Sequence, residues 1–219
     1  MKLTIKSFYF GWIIVAAASL ISLLTVGLRM GIGPFFNPIL HDLRMTRTEL
    51  SAIISISMIV YGIGMPIAGL LLKRYSTRFV LIAGVMLSTI AIVWTITAKG
   101  MISFLFSFGI LLSLGLSFMS NVTLTPIVSR WFVRQKGKAL FYLSAGSMAG
   151  IAIVTPLASV LIQAIGWQYT LLLFALIFII IVIPAAIFFM PDQAPDGADT
   201  ISSQTGTPSN RVNITHRDI

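Results

Sequence analysis

The chain contains no cysteine. Disulfides, thiol nucleophiles and thiolate metal sites are excluded together. Charge is nearly as scarce. Only 10% of residues are charged, against about 25% in a soluble domain. Acids are rarer still: six Asp and Glu against fifteen Lys and Arg. None lies inside a long apolar run, so a carboxylate proton relay cannot be built from this chain alone. The two histidines, His41 and His216, have no second ligand at metal spacing. There is no P-loop to drive work with a nucleotide, and no H-E-x-x-H or paired acids for hydrolysis within a membrane. No ladder of arginines marks a voltage sensor. No metal or cofactor is implied, and an enzyme is the least supported class.

What is present is apolar surface. Hydrophobic residues make up 57% of the sequence and the mean hydropathy is +0.98. A soluble fold of 219 residues could not hide that much and keep a wettable exterior. The sequence therefore predicts an integral membrane protein. In a soluble protein the net charge of +9 would suggest nucleic acid. Here the bilayer is the partner, because membrane proteins place Lys and Arg in cytoplasmic loops.

A crossing helix needs about 20 apolar residues. Stretches free of charge predict six, at about 8–30, 50–72, 79–98, 101–129, 139–164 and 168–190. The fold class expected for residues 1–190 is all-α, with six transmembrane helices. The fifth and sixth divide at Gly166-Trp167-Gln168. Thr46-Arg47-Thr48-Glu49 fits a helix capping box. Trp12, Trp94, Trp131 and Trp167 fall near span ends, where amphipathic rings sit. Residues 191–219 are rich in Pro, Asp, Ser, Thr and Gly and predict a disordered tail.

Loop charges set the orientation. With the N-terminus inside, nine cations fall on the cytoplasmic side: Lys2, Lys6, Lys73, Arg74, Arg78, Arg130, Arg134, Lys136 and Lys138. Arg44, Arg47 and Lys99 fall outside. Both termini are then cytoplasmic. The loop from Arg130 to Lys138 is a topology determinant that can also touch anionic lipid. Lys2, Lys6 and Ala16-Ala17-Ala18 loosely suggest a cleaved signal, but the apolar run continues to Leu28. Asn213-Ile214-Thr215 matches a glycosylation acceptor by chance, being cytoplasmic.

Polar residues within spans are the candidate binding residues. Arg29 is the one charge inside an apolar stretch. It is a snorkelling anchor near the outer interface or a site for an anionic solute. Asn37 caps a broken helix or faces the solute. Asn121 makes an interhelical hydrogen bond or lines a pathway, and Tyr142 is a further candidate, with Tyr61 and Gln163 weaker. Gly62, Gly146 and Gly150 mark helix-packing faces, which could also let helices rock.

These features resemble the N-terminal half of a major facilitator superfamily transporter. Its motif after span two has the form G-x-x-x-D-R-x-G-R. Here the segment from Gly69 to Arg78 keeps Gly69 and Arg74, with Lys73 in place of the acid and Ser76 in place of the second glycine. In the superfamily that acid holds a cytoplasmic gate, so a gate here would be built differently. The loop after span four is similar to the monocarboxylate and oxalate–formate branch. Trp131, Phe132, Arg134 and Lys136 stand at aromatic and basic positions, and Ala139, Ala145, Gly146, Ser147 and Gly150 match directly; Lys138 and Phe141 depart. Phe10-Gly11-Trp12 and Phe35-Phe36-Asn37-Pro38 also look like that branch. The resemblance implies a plasma-membrane carrier of small organic anions working by alternating access. It also implies a half-length or truncated chain, since such carriers have two six-helix halves. Activity would then need a second half or self-association. The branch's main anion-binding arginine lies in the other half, and Arg29 is not at that position. A non-transporting remnant or accessory subunit, and an unrelated six-helix channel or permease subunit, are the competing expectations.

Overall fold

The computed structural model describes residues 3–132 and 135–189, with side chains from residue 11 to residue 188. Its elements are all helical. They are α1 (Leu3–Met30), α2 (Gly33–Leu43), α3 (Arg47–Arg74), α4 (Thr77–Thr97), α5 (Met101–Phe104), a π-helical segment (Leu105–Leu112), α6 (Ser113–Phe118), α7 (Asn121–Trp131) and α8 (Lys136–Phe189). Among the described residues, five stretches are long and apolar enough to cross a membrane: Gly11–Met30, Arg47–Arg74, Thr77–Thr97, Met101–Trp131 and Lys136–Phe188. The tail 191–219 and Arg134 lie outside the described residues.

Local chemistry sets the helix ends. At the start of α3 the Thr46 hydroxyl accepts from the Glu49 amide at 3.3 Å, while the Glu49 carboxylate accepts from the Thr46 amide at 2.8 Å. Two amide donors left over by the first turn are thereby satisfied. The Ser76 hydroxyl caps α4 by accepting from the Phe79 amide. α2 starts at Gly33-Pro34, with proline in the first turn where its missing N–H costs nothing. It ends at Arg44, whose φ of 51° is left-handed.

Three features depart from the simplest reading of hydropathy. The stretch after α1 forms a separate helix, α2, and Asn37 lies inside it rather than at a cap. The fourth span is discontinuous. It passes through the π-helical segment and breaks at Met119 (φ −98°, ψ 12°) and Ser120 (φ −74°, ψ 171°). Finally, α8 runs through the expected turn with one non-helical residue, Gly166, at φ 83° and ψ 165°. That combination is open to glycine and strained for other residues. A straight helix of 53 residues would measure about 80 Å, far more than one bilayer core of about 30 Å. The break at Gly166 divides α8 into limbs 136–165 and 167–189, each long enough to cross.

Small residues decide how closely the helices approach. A Cβ at Gly146 would stand 2.8 Å from the Ser19 carbonyl oxygen, and one at Gly150 would collide with the Leu23 carbonyl. One at Gly27 would lie 2.8 Å from the Gly150 oxygen. These contacts advance together along both chains, so α1 and the first limb of α8 pack in parallel. Gly64 against Ser117 and Gly69 against Val122 align α3 with the fourth span, also in parallel. Gly84 against Met119 and Gly115 against Ser88 set α4 antiparallel to the fourth span. Gly62 differs from the packing role expected of it: a Cβ there would meet nothing within 4 Å. The second limb of α8 buries Trp167, Leu171, Phe174, Phe178 and Val182, a stripe at helical spacing.

Candidate functional site

Arg29 occupies the last turn of α1, and Tyr61 the middle of α3. The Arg29 guanidinium carbon sits 3.6 Å above the centre of the Tyr61 ring. Tyr61 is buried. The arginine is therefore turned into the bundle and held by an aromatic face. The described acids are engaged elsewhere: Glu49 in the α3 cap, and Asp42 with Trp167 Nε1 and the Gln168 side-chain amide. Arg29 has no ion-pair partner among the described residues.

Beside Arg29 lies a recess of about 570 Å³ including its open mouth. Apolar side chains from α1, α2, α3, the π-helical segment, α6 and α8 form its walls, among them Phe35, Met58, Phe108 and Leu171. Its polar side chains are Arg29, Ser57 and Ser113. One fixed cation on a mostly apolar wall is suited to holding an anion with an apolar body.

Asn121 opens α7 just after the break in the fourth span, where it joins three helices. The Ser22 hydroxyl donates to Asn121 Oδ1 at 2.7 Å, Asn121 Nδ2 donates to Ser147 Oγ at 3.2 Å, and the two hydroxyls bond one another. With Ser147 donating to Ser22 in place of the Leu143 carbonyl, which its hydroxyl also reaches at 3.2 Å, each member donates one bond and accepts another, and a ring closes between α1, α7 and α8. Ser88, Ser120, Thr123 and Thr155 have buried hydroxyl oxygens without a hydrogen-bond partner among the described residues.

Tyr142 is exposed at the opposite end of α1, its ring edge-on to Trp12 at 5.4 Å. Phe132 packs on the same tryptophan. Along α1 the candidates therefore occupy three levels: Tyr142 beside Trp12, Asn121 at Ser22, and Arg29 itself. At 1.5 Å per residue these are separated by about 15 Å and then about 10 Å. Asn37 is exposed on α2. The structure thus joins Arg29 to Tyr61 and does not join Arg29 to Tyr142.

At the basic end, Lys73 and Arg74 close α3 in exposed positions, and Gly69 faces Val122. Tyr75 stacks on Phe79 across the short connection to α4, where Arg78 lies in the first turn. Arg130 is in the last turn of α7, and Lys136 begins α8. Trp131 and Trp167 are buried rather than exposed at span ends. Among the described residues no cluster of His, Asp or Glu could hold a metal ion.

Ser22, Ser57 and Ser113 were not singled out by sequence. A usable signal exists: Ser22, Thr25 and Arg29 recur at i, i+3 and i+7 on α1, and Ser57 stands four residues before Tyr61.

Residues 15–215 match the family model described as Major Facilitator Superfamily. Human monocarboxylate transporter 2 is 28% identical over 163 residues, covering 74% of this chain and 34% of that protein. Human monocarboxylate transporter 7 is 27% identical over 177 residues, covering 81% and 34%. An uncharacterized MFS-type transporter, YcxA of Bacillus subtilis (strain 168), is 25% identical over 167 residues, covering 76% and 41%. The chain thus matches about a third of the length of these human relatives.

Proposed function

The chain belongs to the major facilitator superfamily, and from that premise we propose that it acts as a secondary carrier of small organic anions, monocarboxylates among them. Membership supports reading it as a multi-pass membrane protein that carries small solutes rather than as an enzyme. The anion assignment is carried by one observation: Arg29, without an ion-pair partner among the described residues, lines an apolar recess inside the bundle. A fixed cation there attracts an anion and costs less once the anion is bound, because the pair is then neutral. The names of the relatives agree with that chemistry.

Six crossings, with both limbs of α8 spanning the bilayer of the plasma or inner membrane and both termini cytoplasmic, complete the reading. Alternating access requires a second six-helix unit, supplied by a further half or by self-association. The basic ends of α3 and α7 then face the cytoplasm.

The test is uptake of labelled propanoate and 2-hydroxypropanoate by the full chain in proteoliposomes. Arg29→Gln is expected to lower uptake at least tenfold while the protein stays folded. Uptake that survives this change would remove Arg29 from the solute path. A folded, reconstituted chain that moves no carboxylate would favour the second reading, an accessory membrane subunit. Lys73 at the acid position of the gate motif speaks for that alternative.

A further inference from the structure

We propose that α2 is a strap across the outer end of the bundle, latched at Asp42 to Trp167 and Gln168, and that releasing this latch opens the recess more widely to the outside. Only the side of the membrane is taken from the proposed function; the identity of the solute does not enter.

The strap has a joint at each end. Before it, the Gly31 amide still bonds to the Gly27 carbonyl, and the Phe35 amide bonds to the Ile32 carbonyl. Between them, Gly33 has open space where a Cβ would sit, and Pro34 has no amide hydrogen to give. Little there fixes the angle between α1 and α2. After the strap, Arg44 turns the chain at a left-handed φ of 51°, and the capped α3 begins at Arg47. α2 itself is two-faced. Phe35 and Ile39 are buried, while Asn37 and His41 are exposed. It packs chiefly on α8.

Asp42 stands in the last turn of α2. One of its carboxylate oxygens, Oδ2, accepts from Trp167 Nε1 at 3.1 Å and from the Gln168 side-chain amide. Both donors follow directly on Gly166, the residue that breaks α8. A single charged acceptor thus ties the strap to the joint of α8. Trp167 is buried and its indole nitrogen can only donate, which favours the latched form. The Asp42 carboxylate is at the surface, so water can replace either donor and the latch is reversible. The strap and the α8 joint each carry a wall of the recess. Phe35 lies two turns before Asp42 and Leu171 one turn after Trp167, and both are buried there. With Asp42 released, α2 swings on its joints, Phe35 withdraws and the outer side of the recess is uncovered.

The chain lacks cysteine, so introduced cysteines report cleanly. Asn37 on the strap and Tyr169 on the second limb of α8 are both exposed. Spin labels on Asn37→Cys and Tyr169→Cys, in the full chain in nanodiscs, are expected to give one narrow distance. Asp42→Ala or Trp167→Phe should add a second, longer one. In cells, an impermeant thiol reagent added outside reads Ser113→Cys, a recess position only 7% exposed. Its labelling is expected to rise about tenfold in either variant, the scale of one charge-assisted hydrogen bond acting on a minor open state. Asp42→Glu, which keeps the carboxylate, should return it towards wild type. An unchanged distance, or labelling that rises from neither side of the membrane, would overturn the proposal. So would an equal rise at Ser88→Cys, buried against Gly115 away from the strap, because the bundle would then have loosened as a whole. If the distance lengthens but the reagent gains access only from inside, the latch stands and the assigned topology falls. If labelling rises as expected while the chain moves no carboxylate, the latch stands and the anion reading falls.

Discussion

Among the described residues no carboxylate neutralises Arg29, and that choice of partner matters. An ion pair would cancel its charge inside the bundle. A tyrosine face stabilises the guanidinium by about 0.5–2 kcal/mol and leaves the charge available. Asn121 is the opposite case, with its amide oxygen and one amide hydrogen both used within the ring of Ser22 and Ser147. Asn121→Ala is expected to destabilise the chain by about 1 kcal/mol, the scale of an interhelical hydrogen bond in a membrane. Denaturant titration of tryptophan fluorescence in micelles would measure it. If stability is unchanged while carboxylate binding weakens, the amide serves the solute instead. Arg29 was legible because a charge in an apolar run stands out. The serines were not, because a serine in a helix can satisfy itself on its own backbone and leaves no signature of what it faces.

Among the elements, glycine spacing shows which residues share a face of a helix but not which face is covered. Gly62 and Gly146 look alike in sequence, yet one is open and the other touches the Ser19 backbone. Gly150→Val is therefore expected to destabilise the α1–α8 contact by about 1–3 kcal/mol or more. Gly62→Ala should be neutral or slightly stabilising, since it gains helix propensity and meets nothing. Thermal unfolding followed by size-exclusion chromatography would compare the two. The apolar stretches were readable because lipid demands a long uncharged helix. The break at Met119-Ser120 and the π-helical segment were not. Hydropathy averages over about 20 residues, whereas the break is lodged in tertiary contacts, with Met119 buried against the Gly84 region of α4. The turn expected at Gly166 proved to be a single residue because one left-handed φ is enough to redirect the chain.

For the molecule as a whole, parity follows from packing. α1 and the first limb of α8 run in parallel, so an odd number of crossings must separate them, and α3, α4 and the fourth span supply three. A reporter fused after Lys138 is accordingly expected on the same side as the N-terminus, in the cytoplasm, and one after Lys99 on the outside. Alkaline phosphatase and fluorescent protein fusions would show it, and an external signal after Lys138 would invert the topology. The parallel pairing also has a consequence for biogenesis. Ser22 and its partner Ser147 are 125 residues apart. At roughly 5–20 residues per second, α1 waits about 6–25 s in the membrane before the helix that covers it is synthesised. During that interval the polar face of α1 can be met only by lipid, by the insertion machinery or by the helices already delivered. The oldest helix in the bundle is thus among the last to be completed, and the integrity of α1 depends on what holds it while the ribosome finishes α8.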